Sequence, residues 1–175
     1  GTSFEMAIMK AVRGAEISTG TLNLPKLAEL SDEEIYARLS EMTDERLFIV
    51  YQALKRGVSV DEIYEITKID EWFLNKLKNL CGFEAEIAGK AITREQYLKG
   101  KKLGYPDSEL ERFSGNKLPA HRDAVFKMVD TCGAEFAAQT PYFYSTYDEK
   151  EHDEAKPFVD RSTKKRIVVI GSGPI

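Results

Sequence analysis

Apolar positions in this chain recur at helical spacing from the N-terminus to about Phe113, and only beyond that does an extended pattern take over. The clearest unit is VSVDEIYEITKIDEWFLNKLKNL, from Val58 to Leu80, which reads as two short helices joined by a tight turn. Val60, Ile63, Tyr64 and Thr67 fall on one face of the first. Ser59 is its N-cap, and Glu62 completes a capping box that satisfies two free N–H groups. Lys68 and Ile69 carry the turn, and Asp70 puts a negative charge where the macrodipole of the second helix favours one. Ile69, Trp72, Phe73, Leu77 and Leu80 then form a broad apolar stripe, which predicts that Trp72 is core.

The same logic runs along the rest of the chain. Thr2 and Glu5 have the spacing of a capping box ahead of a helix from Ser3 to about Glu16, with Phe4, Ala7, Ile8, Ala11, Val12 and Ala15 on one face. ISTGTLNLPKLAEL, from Ile17 to Leu30, is a loop by its Gly20 and Pro25, yet it carries Leu22, Leu24, Leu27 and Leu30, which either clamp the loop onto the domain's own core or mark a contact surface. Ser31 and Glu34 box the next helix, with Ile35, Leu39 and Met42, and Thr43 caps the one after it. Its body, Leu47 to Leu54, is apolar almost all round, and such a helix belongs at the centre of a bundle. Lys55, Arg56 and Gly57 mark its end. Beyond Leu80 the helical phase continues through Phe83 and Ile87 to about Gly89. Thr93 and Gln96 box a helix running to Leu103 and stopped by Gly104, and Pro106 with Asp107 opens a short helix carrying Leu110 and Phe113. Gly57–Ile63 and Gly104–Leu110 share one plan, a hint of internal duplication.

From Ala124 the period changes. AVFKMVD and TPYFYSTY are rich in β-branched and aromatic residues and read as extended. Asp148 to Ser162 is charged and reads as a solvated linker. Ile167–Ile170 has the character of a buried strand, followed by a Gly171-Ser172-Gly173-Pro174 turn. Such a turn cradles a phosphate only against a following helix N-terminus, which this chain does not supply. The pattern therefore predicts a mainly α, multihelical fold. It has two small helical subdomains, Ser3–Gly89 and Ala91–Arg122, followed by extended segments and a truncated strand.

The 175 residues are 42% hydrophobic and 31% charged, with a net charge of −4. That balance exerts no global pull toward nucleic acid or an anionic membrane, and no apolar run reaches bilayer length. A helix-turn-helix reading of Val58–Leu80 would need basic or amide side chains at the start of its second helix, where Asp70 and Glu71 would repel phosphate. Cys81 and Cys132 have no partner at metal-ligand spacing and read as buried free thiols of a reducing compartment. Cys132 lies beside Asp130 and Glu135, which oppose a thiolate nucleophile. His121 and His152 are isolated. No catalytic residue, cofactor site or metal set is expected.

Two stretches carry a family resemblance. The Ser59–Ile63 helix, with Thr67-Lys68-Ile69-Asp70-Glu71-Trp72-Phe73-Leu74, resembles the central helices of the carbamoyl phosphate synthetase large subunit, in its oligomerisation (connection) domain. Val129-Asp130-Thr131-Cys132, with Ala134-Glu135-Phe136 and then Thr140, Tyr142, Tyr144, Ser145, Thr146 and Tyr147, is the second match. The family commonly has Ala where Gly133 stands. Phe4, Glu5, Ala7, Lys10, Ala11, Arg13 and Gly14 are similar to a family helix, and Gly171–Pro174 to the opening turn of the second synthetase half. After Phe113 the family continues with a longer helix, whereas this chain is shorter and carries Pro119.

The resemblance implies a segment of a larger enzyme. Residues 1–16 would be the last helix of one synthetase half, 17–147 the oligomerisation domain, 148–163 a linker, and 164–175 the first strand of the other half. The parent would be a cytoplasmic ATP-dependent ligase making carbamoyl phosphate from bicarbonate and glutamine-derived ammonia, for arginine and pyrimidine synthesis. Its ATP and divalent metal would bind outside this segment. The partners implied are a second copy, the other domains of the same chain and a small glutaminase subunit, with no nucleic acid and no membrane. Leu22, Leu24, Leu27 and Leu30 are the expected self-contact, and the aromatic run Tyr142–Tyr147 is expected to face a synthetase half. The competing reading is a helical adaptor or a helix-turn-helix nucleic-acid-binding module.

Overall fold

A computed structural model describes residues 1–17, 19–119, 124–133, 135–137, 142–147 and 153–160, together with Lys165, Ile167, Val169 and Gly171. It divides into two compact units, Gly1–Arg122 and Asp123–Ile175.

The first unit is helical: α1 (Phe4–Gly14), α2 (Pro25–Ala28), α3 (Asp32–Arg38), α4 (Arg46–Lys55), α5 (Val60–Thr67), α6 (Glu71–Ile87), α7 (Arg94–Leu103) and α8 (Asp107–Ser114). The starts of α3, α5 and α7 are held by full capping boxes, Ser31 with Glu34, Ser59 with Glu62 and Thr93 with Gln96. Two other caps differ from expectation. Ser3, not Thr2, accepts from the Met6 amide to start α1. Thr43 offers its carbonyl rather than its hydroxyl to Arg46, and α4 begins after Glu45 without a side-chain cap. Every residue from Phe48 to Leu54 is buried, so α4 is the central post, packed against α2, α3 and α6. α6 crosses it and also meets α1, α5, α7 and α8. The two helical groups on either side of Gly89 therefore share one core, which runs from Met9 to Leu110. Met42 does not join it; the residue lies beyond α3 and is 87% exposed.

Trp72 is the main correction. It is 53% exposed, and Phe73 beside it 44%. At about 100° per residue, the five steps from Trp72 to Leu77 turn the helix by about 140°, so the two cannot share a face. The buried face of α6 is instead Leu74, Leu77, Cys81 and Glu84, with Leu80, Phe83 and Ile87 beside them. Phe73 does point toward that side, but it lies in the first turn, where its ring meets the half-buried Phe4 and the exposed Trp72, with centroids 5.4 and 5.0 Å away.

The internal plan read at Gly57 and Gly104 extends over whole hairpins. α4 and α7 are both 10 residues long, and α5 and α8 both 8. Gly57 and Gly104 both adopt left-handed backbone, as do Lys68 and Gly115 at the far ends of α5 and α8. Ile63 and Leu110 take equivalent, fully buried places.

The second unit holds β1 (Val125–Met128) and β2 (Phe143–Thr146), paired antiparallel with Val125 opposite Thr146 and Met128 opposite Phe143. Within the stretch read as a linker lies a short helix, α9 (Lys156–Asp160). Glu154 ties its start to β1, donating its amide to the Phe126 carbonyl at 2.9 Å and accepting from the Met128 amide at 2.6 Å. Of the strand expected over 164–175, only alternate residues up to Gly171 are described, so that expectation lies outside the described set.

Candidate self-association surface

The leucine loop is clamped to its own chain. The Thr19 hydroxyl donates to the Thr21 carbonyl at 2.9 Å, and the Asn23 amide donates to the Glu84 carboxylate at 2.9 Å, which pins the loop to α6. From the other side Arg56 donates to the carbonyls of Leu30 at 2.7 Å and Leu27 at 3.1 Å. Pro25 at the first position of α2 has no amide to satisfy, and the one-turn helix lays Leu27 inward. Leu22 is 0% exposed and Leu27 1%. These two leucines cannot meet a second copy in this fold, because a loop pinned at both ends delivers its largest side chains to the nearest dry surface. Leu24 and Leu30 remain half-buried against the core.

What lies open beside Leu24 is a groove of about 760 Å³. Its floor and walls include Ile8 and Ala11 of α1, Ala15 at the C-cap of α1, Ile17, Leu24 and Leu47. α1 reaches the core through Glu5, Met9 and Val12, one step around from the stripe expected from its sequence. Ala7, Ala11 and Ala15 therefore face outward, and the outward row has small side chains that let a partner approach closely. At one end Glu45 holds the rim by pairing with Lys26 and accepting from Arg38 at 2.9 Å. The hydrogen bonds from Lys26 and then Arg38 keep the Glu45 carboxyl below its ordinary range.

Beneath the loop lies a polar cluster that hydrophobic patterning passed over. The buried Glu84 carboxylate accepts from the Tyr51 hydroxyl at 2.8 Å, the Tyr105 hydroxyl at 3.0 Å and the Lys55 ammonium at 2.9 Å, besides Asn23. Its signal in the sequence was a lone acid on the apolar face Leu77–Leu80–Cys81–Ile87. Burial, reinforced by Glu84, raises both tyrosine hydroxyls above their ordinary value. Burial and then Glu84 also push the Cys81 thiol up to about 12, so it stays protonated. Glu84 thereby joins the leucine loop, α4 and the turn before α8 to α6, and the cluster acts as an internal clasp. The second cysteine, Cys132, is half-buried and donates its amide to the Asp130 side chain at 3.0 Å. Among the described residues no three His, Cys, Asp or Glu side chains gather as metal ligands. His121, His152 and Ser172–Pro174 lie outside the described residues. No helix of the described residues is long and apolar enough to cross a membrane.

A bundle with a clasped interior, an unmatched apolar row on its first helix and an open groove beside it defines a helical contact module. The residues matched by the model of the carbamoyl-phosphate synthetase large chain, oligomerisation domain, are 1–131. Three carbamoyl phosphate synthase large chains are each 40% identical to this chain. That of Lachnoclostridium phytofermentans aligns over 99% of this chain and 17% of its own length, and that of Methanothrix thermoacetophila over 100% and 16%. The third, from Archaeoglobus fulgidus, aligns over 99% and 17%. The chain belongs to the family of carbamoyl-phosphate synthetase large-chain oligomerisation domains. It spans about one-sixth of the length of the curated relatives it matches.

Proposed function

We propose that this chain is the assembly module of a carbamoyl phosphate synthase large chain, and that its self-contact is the α1 groove with Leu24 at its edge. The observation that carries the reading is the groove wall in which Ala11 and Ala15 lie exposed beside the half-buried Ile8, in a domain whose family is described by oligomerisation. In this reading the longer chain makes carbamoyl phosphate in the cytoplasm from bicarbonate, ammonia released from glutamine and ATP. ATP and its metal bind elsewhere in that chain, and a small glutaminase subunit supplies the ammonia. The module's residues set how chains meet and carry no step of the synthesis.

The test is made in the longer chain with Ala11→Glu, which sets a carboxylate in the groove wall. A buried unpaired charge costs several kcal/mol, more than a small contact provides. Sedimentation velocity should show a smaller assembly, while carbamoyl phosphate formation per chain stays within about twofold. An unchanged assembly contradicts the groove, and complete loss of synthesis in a folded variant contradicts the purely assembling role.

A further inference from the structure

We propose that the cavity enclosed by the leucine loop, α4 and α8 is a small-molecule site for an uncharged, flat ligand with a carboxamide edge. The cavity holds about 390 Å³, within the roughly 300–1,000 Å³ of small-molecule sites. It meets the α1 groove at Leu24 and Pro25, and the rest of its lining is separate. Its walls are fixed before any ligand arrives. Asn23 bonds both Glu84 and Lys55 along the inner edge of the loop. Gly20 passes α8 so closely that an added methyl would lie 3.0 Å from the Glu109 Cγ. Gln52 is the residue that calls for a ligand. It is 6% exposed, yet no described residue hydrogen-bonds its side-chain amide. Buried polar groups normally have a partner, because an amide stripped of water without one carries a desolvation penalty. Among the described residues, the Arg46 Nε is the one side-chain atom both sealed and unpartnered, so the Gln52 amide faces open space, and the space it lines is this cavity.

The open hydrogen-bonding positions select the ligand. Lys55 stands three residues on from Gln52, on the same face of α4, and lines the same cavity. Of its three N–H groups two are taken, by Glu84 at 2.9 Å and Asn23 at 2.5 Å, which leaves one for a ligand carbonyl. Lys55 is paired with Glu84, and Arg112 with Glu109 at 2.5 Å, so both cations at the wall have their counter-charges in place. A charged ligand would shed its water without gaining a free opposite charge. What stays open is the donor and acceptor of Gln52 and one Lys55 N–H, which is the complement of a second amide. Phe113, with Leu24 and Ala28, supplies apolar surface for a flat body, and Arg112 lies over the Phe113 ring at 4.3 Å.

Titration of the isotope-labelled 175-residue chain with benzamide, followed by NMR, tests the site. The side-chain amide signals of Gln52, identified by their absence in Gln52→Leu, should shift together with the backbone amides of Thr19 and Ala28. Saturation should come at on the order of millimolar benzamide, as for other fragment-sized ligands. Gln52→Leu should bind benzamide at least about fivefold more weakly, the loss of a hydrogen bond or two, and should fold no less stably because it removes an unpartnered buried amide. Gln52→Met, unbranched like the native side chain, should show the same loss. In the wild type, benzoate and benzylamine should each bind at least about fivefold more weakly than benzamide, since the wall has no unpaired charge. Ala11→Glu alters only the groove and should leave benzamide binding within about twofold. Gln52 signals that stay still at tens of millimolar benzamide overturn the site. So does undiminished affinity in the Gln52 variants, or benzoate or benzylamine binding as tightly as benzamide. Loss of binding in Ala11→Glu would give the benzamide to the groove and overturn it as well.

Discussion

At Glu84 one carboxylate collects hydrogen bonds from Asn23, Tyr51, Lys55 and Tyr105, which belong to the leucine loop, to α4 and to the turn before α8. Removing it strands the buried Tyr51 hydroxyl, leaves Tyr105 only a long bond to the Leu80 carbonyl at 3.4 Å, and takes from Lys55 its ion partner. An orphaned buried donor costs about 1–3 kcal/mol, so Glu84→Ala should lower unfolding stability by roughly 2–4 kcal/mol in urea. Tyr51→Phe removes one bond and keeps the packing, and should cost only about 1 kcal/mol. Equal effects of the two would mean that Glu84 is not the hub. The same burial protects Cys81, whose thiol sits near 12. Iodoacetamide at pH 8 should modify Cys132 and spare Cys81 until the chain unfolds; early labelling of Cys81 would show that the clasp opens. Trp72 belongs at this scale too. Its ring contacts are worth about 0.5–1.5 kcal/mol, so Trp72→Ala should cost about 1 kcal/mol, against about 2–5 kcal/mol for the fully buried Leu74→Ala. Comparable losses from the two would return Trp72 to the core. Hydrophobicity alone had made the larger ring the better core candidate. The angle around the helix decides otherwise, and a list of apolar residues does not carry that angle.

The elements themselves were legible wherever local chemistry dominates. Ser31, Ser59 and Thr93 with their boxed partners start helices as read, and the all-apolar Leu47–Leu54 run sits at the centre as its pattern required. What sequence could not supply was which of two adjacent stripes faces inward. α1 carries small and large apolar residues over more than half its circumference, and only the position of α6 and α7 decides that Met9 and Val12 go in. The leucine loop clamps onto its own core, one of the two readings its sequence allowed. What takes Leu22 and Leu27 from the expected self-contact is that Asn23 and Arg56 pin the loop through polar contacts tens of residues away. The hairpin plan around Gly104 offers a test at this scale. Gly104 has a φ of +94°, and an added methyl would lie 3.1 Å from the Met6 Cα and from the Met9 Cβ. Its carbonyl also accepts from Arg13 at 2.7 Å, so this turn is what seats α7 against α1. Gly104→Ala should therefore cost about 1–3 kcal/mol, while the capped but open position of Gly57 should give less for the same change. Equal melting shifts would show that strain, not the contact with α1, sets the effect.

As a whole, the Gly1–Arg122 unit has a single core and carries its open apolar surface on and around α1. The open groove lined by Ile8, Ala11, Ala15 and Leu24 leaves apolar surface in water: Ala11 and Ala15 are exposed and Ile8 and Leu24 only half-buried, and what remains open loses water when another surface arrives. The contact is small, so association should be weak, and the chain's net charge of −4 opposes it further at low salt. Sedimentation equilibrium of the wild-type chain and of Leu24→Glu, over a concentration series up to about millimolar, tests this most directly. Leu24 is half-buried at the groove edge, so the substitution leaves Leu22 and Leu27 to hold the loop. The account predicts a mass that rises with concentration toward a dimer in the wild type and stays at the monomer in Leu24→Glu. A wild type that remains monomeric throughout, or a variant that associates as strongly, would contradict it.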